Sequence, residues 1–220
     1  MIELVTFLGN PGREYSANRH NAGFMLAEEL SFYNELDWQK KYKGLYAALE
    51  RSRLRNDAPA ELPGKLHFLK PLTFMNLVGQ SVSQAAAFFK IKPESILTVH
   101  DELELPLGTI SLKFGGGLGG HNGLRSMKAD LGSAEFWRIR IGIGRPDHRL
   151  PGEGGPPGSG RGIVDWVLTN FSEAELQRLG PVLKTGADLL HRALTCDPKT
   201  LLKEWAKKKI ELEEAEPDGI

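Results

Sequence analysis

Strand-like and helix-like stretches alternate along this chain, and that alternation restricts it to the α/β class. The run IELVTFL, residues 2–8, is apolar and β-branched and stops at GNPG. From Ala22 the stretch AGFMLAEELSFYNEL puts Met25, Leu26, Leu30 and Tyr33 at helical spacing, with Asn21 as the candidate N-cap. GLYAALE and KLHFL read as strands joined through RNDAPAELPG. TFMNLVGQSVSQAAAFFK carries Val78, Val82, Ala85 and Phe89 on one helical stripe, with Thr73 as its cap. Strands SILTVH and TISLKF follow, then a glycine loop, a short helix LRSMKADL and a strand FWRIRIGIG. The last third reads as three helices, SEAELQRL, VLKTGADLLHRAL and PKTLLKEWAKKK. Residues 147–162, DHRLPGEGGPPGSGRG, are glycine, proline and polar residues and predict a mobile loop.

With 220 residues the chain has room for one well-buried core, so a single α/β domain is expected over 1–209, with 210–220 as a frayed tail. No apolar run approaches the roughly 18 residues of a spanning helix. MIELVTFLGNPG has an acid at position 3 and no basic segment before its short apolar run, so it reads as a first strand and not an export signal. One cysteine, Cys196, excludes an internal disulfide and a multi-cysteine zinc site, which fits a cytoplasmic address. Basic and acidic side chains balance at 28 each, but unevenly along the chain. Residues 210–220, IELEEAEPDGI, hold five acids and no Lys or Arg, so the remainder carries 28 bases against 23 acids. Between Ser111 and Pro146, Lys113, Arg125, Lys128, Arg138, Arg140 and Arg145 face only Asp130 and Glu135, an excess that suits a polyanion.

In open α/β sheets, sites form past the carboxyl ends of strands. Asn10, Asp101 and the loop GGGLGGHNG, residues 115–123, all fall at such points. Gly115, Gly117 and Gly120 satisfy G-x-G-x-x-G between a strand and a helix, which raises a nicotinamide- or flavin-dependent enzyme. Against it, the loop lies past the middle of the chain, and no ribose-binding acid follows the next strand. His20, in NRHNAGF, sits just before a helix whose positive end disfavours an imidazolium and so suits a neutral base. A carboxylate on its second ring nitrogen would fix its tautomer. Asp101, the first residue past an apolar strand in HDELELP, can supply one while Glu102 and Glu104 face solvent. A metal bound by His100, Asp101 and Glu104 matches no usual ligand spacing. Neither G-x-S-x-G nor a P-loop is present. Asn10, Asn76 and Asn122 offer amides that bind a carbonyl without titrating.

FLGNPGREYSANRHNAGF, KPLTFMNLVGQSV, HDELELPLGTISLKFGGGLGGHNGLRS and FWRIRIGIGRP, in this order, resemble the bacterial-type peptidyl-tRNA hydrolases over most of residues 4–146. The resemblance implies a twisted, mixed and largely parallel sheet with helices on both faces, acting as a monomer on peptidyl-tRNA, with no cofactor, metal, DNA or membrane partner. It implies that His20 is the general base, that Asp101 orients it, and that Asn10 positions it and helps select blocked aminoacyl ends. Asn76 and Asn122 match ligands of the peptide or ester; Tyr15, Phe74 and Met75 match the channel wall; Lys113 and Arg140 match a clamp on the terminal phosphate. His121 and Asn21 match supporting positions, His121 shaping the loop or bracing a neighbour. Asn18 stands in place of the usual Thr, Ser111 in place of a second lysine, and the loop at 147–162 is longer than usual. Relatives that bind RNA without hydrolysing it make a non-catalytic RNA-binding protein the alternative.

Overall fold

The computed structural model describes residues 1–54, 64–146 and 162–210; the expected loop at 147–162 save Gly162, the expected tail at 210–220 save Ile210, and the connection RNDAPAELPG save Gly64 lie outside them. In chain order the strands are β1 (Leu4–Phe7), β2 (Gln39–Lys41), β3 (Gly44–Glu50), β4 (Lys65–Pro71), β5 (Ile96–Glu102), β6 (Thr109–Phe114), β7 (Trp137–Gly142) and β8 (Lys208–Lys209). The helices are α1 (Ala22–Glu28), α2 (Val78–Phe89), α3 (Asn122–Leu131), α4 (Gly162–Val167) and α5 (Glu173–Thr195). All eight strands form one sheet in the order β2-β3-β4-β1-β5-β7-β6-β8. Its centre, β4-β1-β5-β7, is parallel, and the pairs outside it are antiparallel.

The central strands bury apolar residues on both sides because helices cover both faces, except that β7 turns Arg138 and Arg140 to one of them. Val5, Phe7, Val99, Ile139 and Ile141 meet Leu26 and Ala27 of α1 and Val182, Leu189 and Leu190 of α5 in one core. Leu4, Leu69 and Ile96 point the other way, against Val78, Val82 and Ala85 of α2 and Leu124 and Met127 of α3. With β1 and β5 parallel and adjacent, the loops after them emerge side by side at one edge of the sheet.

Several expected elements take a different form. The first helix ends at Glu28, well short of Leu36, because the core claims Leu30, Phe32 and Leu36, which share no helical stripe. The first two C-terminal helices are one, α5, which runs straight through Pro181. Its buried stripe, Leu179, Val182, Leu183, Leu190 and Leu194, stays in phase across the proline, and this packing offsets a helix-interior penalty of about 3 kcal/mol. Gly186 is required there, since a Cβ would sit 2.5 Å from Leu26 and 2.7 Å from Ile110. The third becomes a 3₁₀ turn, Pro198–Leu201, followed by β8 on the open edge of β6. There Leu112 donates its N–H to the Trp205 carbonyl, and Trp205 is buried. Two caps also differ. Asn21 precedes α1 but makes no capping bond, and the Thr73 hydroxyl is buried without a hydrogen bond, because a 3₁₀ turn, Met75–Leu77, intervenes before α2.

Candidate active site

Asp101 is the penultimate residue of β5 and not the first residue beyond it, and this puts its carboxylate at the rim where both faces of the sheet are within reach. His20, from the 3₁₀ turn Arg19–Asn21 that leads into α1, comes from one face. His121, the N-cap of α3, comes from the other. His20 Nδ1 lies 2.9 Å and 3.0 Å from the two carboxylate oxygens, and His121 Nε2 lies 3.0 Å from Oδ1. The tautomers follow from the partners. His121 Nδ1 accepts the backbone N–H groups of Gly123 and Leu124, so its proton sits on Nε2 and is donated to Asp101. His20 donates from Nδ1, which leaves the Nε2 lone pair free. Burial alone would raise the Asp101 carboxyl, but the electrostatic attraction and hydrogen bonds of the His20 and His121 N–H groups outweigh it and hold Asp101 well below the usual carboxylate range.

The ligand atoms of His20, Asp101 and His121 lie within 4.8 Å of one another, close enough to share a cation. Their hydrogen bonds fit one poorly. Coordination would use the two ring nitrogens that now donate to Asp101, and His121 would then need lone pairs on both nitrogens, an imidazolate, to keep its helix cap. The other metal set weighed from the sequence is not assembled. His100 is fully buried with Nδ1 donating to the Asp101 carbonyl, whereas Glu104 pairs with Arg145 at the surface.

A cavity of about 410 Å³ opens beside this centre, lined by Asn10, Tyr15, His20, Phe74, Met75, Asn76, Asp101, His121 and Asn122 among others. Asn10 Oδ1 accepts the Met75 N–H, and Asn21 clasps Asn10 from behind, accepting from its N–H and donating to its carbonyl. That clasp, and not a helix cap, is the use of Asn21. Tyr15 meets Phe74 edge to face at 6.4 Å. Met75 slides in over Gly123, where a Cβ would lie 2.5 Å from its sulfur. The far wall is Ile163, Val164, Val167 and Leu168, from α4 and the residue after it. The sequence reading missed this wall, although GIVDWVL carries these apolar residues at helical spacing.

The basic residues lie on the α3 side of the sheet. Lys113 stands opposite Arg138, and Ser111 opposite Arg140, on β6 and β7. Burial, and then Arg138 and Arg140, lower the Lys113 pKa. Arg138 is almost wholly buried; its guanidinium donates to the Gly115 carbonyl and, at 2.9 Å, to that of Gly117. The glycine loop therefore wraps an arginine, and the first N–H groups of α3 are taken by His121, which removes the means of holding a dinucleotide. Glu102, expected in solvent, is buried; it lines the cavity and accepts Arg140 Nε at 2.9 Å, because the end of β5 turns it toward β7. Ser111 is buried and donates to the Ala206 carbonyl, so the position expected to hold a second lysine supports the C-terminal segment instead. Lys113 and Arg140 stand outside the cavity lining, and Arg140 is joined to it through Glu102.

A sequence model of the peptidyl-tRNA hydrolases matches residues 4–213. A peptidyl-tRNA hydrolase of Treponema pallidum (strain Nichols) is 42% identical over 212 residues, which is 95% of this chain and 96% of its own. Among solved structures, peptidyl-tRNA hydrolase from Acinetobacter baumannii superposes with a TM-score of 0.71 at 31% identity, over 93% of this chain and 96% of that one. A peptidyl-tRNA hydrolase in complex with N-propanol gives a TM-score of 0.75 at 31% identity, over 92% and 93% of the two chains.

Proposed function

This chain belongs to the peptidyl-tRNA hydrolase family, and from that premise we propose that His20 is the general base with which it hydrolyses the ester between a peptide and its tRNA. The observation that carries the assignment is the pair of hydrogen bonds from His20 Nδ1 to Asp101, which leave the Nε2 lone pair free on a ring that lines the cavity. Nε2 takes a proton from water as the water oxygen attacks the ester carbonyl. Asp101 stabilises the imidazolium that forms, and His121 holds Asp101 from the other side. The amides of Asn10, Asn76 and Asn122 receive the carbonyl oxygen as charge develops on it. The tetrahedral intermediate then expels the ribose oxygen, which takes the proton from His20. The peptide leaves as a carboxylate and the tRNA as an alcohol, with no covalent enzyme intermediate. Tyr15, Phe74 and Met75 wall the channel, and Lys113 and Arg140 hold the terminal phosphate of the tRNA.

The protein acts as a cytoplasmic monomer in this reading. Among the described residues no helix is long and apolar enough to cross a membrane. The test is release of the blocked amino acid from N-acetyl-aminoacyl-tRNA in EDTA. Wild type turns the substrate over, and His20→Ala falls by about 10² to 10⁴ in kcat. Undiminished activity of the variant would overturn the assignment of the base, tight binding without turnover by wild type would indicate an RNA-binding protein, and loss of activity in EDTA would call for a metal.

A further inference from the structure

The segment after α5 carries three lysines in a row, Lys207, Lys208 and Lys209, for which water activation has no use, and the fold lays them along the edge of β6. Backbone and side chain both hold the segment there. The Leu112 N–H donates to the Trp205 carbonyl at 2.7 Å, the Ser111 hydroxyl to the Ala206 carbonyl at 2.6 Å, and the Ile210 N–H to the Gly108 carbonyl at 2.8 Å. Trp205 anchors it in the core shared with α5. Ile110 pairs with Lys208 while Leu112 bonds Trp205, so Ala206 and Lys207 together stand opposite Ser111. One extra residue of this kind is a β-bulge, which re-aims a side chain.

The two faces of the sheet sort the three lysines. Ile110 and Leu112 point into the core with α5, so Thr109, Ser111 and Lys113 point to the other face, the one that Arg138 and Arg140 share. Residues directly opposite in an antiparallel pair lie on one face. Lys208, opposite Ile110, is therefore on the α5 side, where its Nζ lies 4.2 Å from the Trp205 ring and 3.6 Å from Glu204. Lys209, opposite Thr109, is on the arginine side, and the bulge sets Lys207 beside Ser111. Both are exposed, and neither has an ion pair among the described residues. Glu204, the acid just before them, is held by Arg192 and Lys208. The backbone that carries them is one strand spacing, about 4.8 Å, beyond that of Lys113. A polyanion presents phosphates in a row, and two unpaired ammonium groups wait past the pair that meets the first. We propose that Lys207 and Lys209 bind the tRNA, their ammonium groups contacting backbone phosphates outward of Lys113 and Arg140. The inference rests on the hydrolase reading and on the phosphate role of those two residues. Lysines on an outermost strand also deter pairing with another chain, a role that needs no RNA.

The experiment measures two quantities over a salt series: kcat and KM for N-acetyl-aminoacyl-tRNA, and Kd for deacylated tRNA by fluorescence anisotropy. The enzymes are wild type, Lys207→Gln, Lys209→Gln, the double variant, and Lys92→Gln, an exposed lysine that precedes β5 at the end of the sheet away from the cavity. All are made in the full chain, so the five acids of residues 210–220 are common to them. Each of Lys207→Gln and Lys209→Gln should lower the slope of log binding constant against log salt by about 0.7 to 0.9, one phosphate contact. KM should rise several-fold in the double variant with kcat unchanged, because the contacts position the substrate and do no chemistry. Arginine at both positions keeps the charges and should match wild type, and Lys92→Gln should leave slope and KM as they are. Wild-type slopes in the glutamine variants would overturn the proposal and leave the lysines as guards of the strand edge. An equal fall in Lys92→Gln would overturn it too, since bulk charge would then be the cause. Binding of tRNA without turnover by wild type would break the hydrolase reading instead, while the slopes would still decide the two lysines.

Discussion

Asp101, itself buried, accepts an N–H from each of two imidazoles, so its charge is what both rings are oriented around. Asp101→Asn keeps the shape but offers an amide that cannot serve two donors equally. We expect kcat to fall by about 10² to 10⁴ with a smaller change in KM, read by single-turnover release of the blocked amino acid. The sign of the pH effect follows from the direction of the shift. Because folding lowers the Asp101 pKa, its stabilisation is complete above about pH 4 and is lost as pH falls from there through the folded-state value. The difference in urea stability between wild type and Asp101→Asn should therefore be flat near neutrality and shrink below about pH 4. His121→Ala removes a helix cap and one tether of Asp101 together. It should cost about 1 to 2 kcal/mol in a urea melt and lower kcat less than His20→Ala does. Asn10, His20 and Asp101 could be picked out as candidates from the motifs, because Asn10 and His20 follow β1 in the chain and Asp101 falls at the end of β5. Glu102 could not, because adjacent residues of an extended strand point to opposite faces, and only the end of β5 lets both Asp101 and Glu102 look into one cavity.

At the scale of elements, the turn that carries His20 is fastened to the chain that carries the cavity wall. Arg19 lies 3.7 Å over the Trp166 ring, bonds the Thr169 hydroxyl and the Asn170 carbonyl, and grips both Glu175 oxygens at 2.7 Å and 2.6 Å. The isolated bridge between Asn18 and Asn170 stitches the same two segments. Arg19→Met leaves the buried Glu175 charge unpaired and should cost about 3 to 5 kcal/mol, whereas Arg19→Met with Glu175→Leu should regain much of it. Equilibrium urea unfolding of the two variants checks this. The strands of the centre were legible because strands covered on both faces are rich in apolar and β-branched residues, as in LVTF of β1 and ILTV of β5. The helix limits were not. α5 crosses Pro181 because its stripe is in phase on both sides, and β8 forms because β6 presents an open edge; both depend on partners far off in the chain.

Across the whole molecule, Lys113 and Arg140, the residues proposed to meet the tRNA, stand on β6 and β7, while the formal charges of the chain as a whole balance. Contacts to phosphate position a nucleic acid and weaken with salt. Lys113→Ala should raise KM more than it lowers kcat, and should reduce the slope of log kcat/KM against log salt by roughly 0.7 to 0.9, one phosphate contact. Steady-state rates across a salt series measure both. The two cores are joined at the reaction centre itself. One ring on Asp101 belongs to the layer of α1 and α5, the other to the layer of α2 and α3. Activity is thus a logical conjunction of the two layers: a chain that keeps either one while the other melts is not half an enzyme but none.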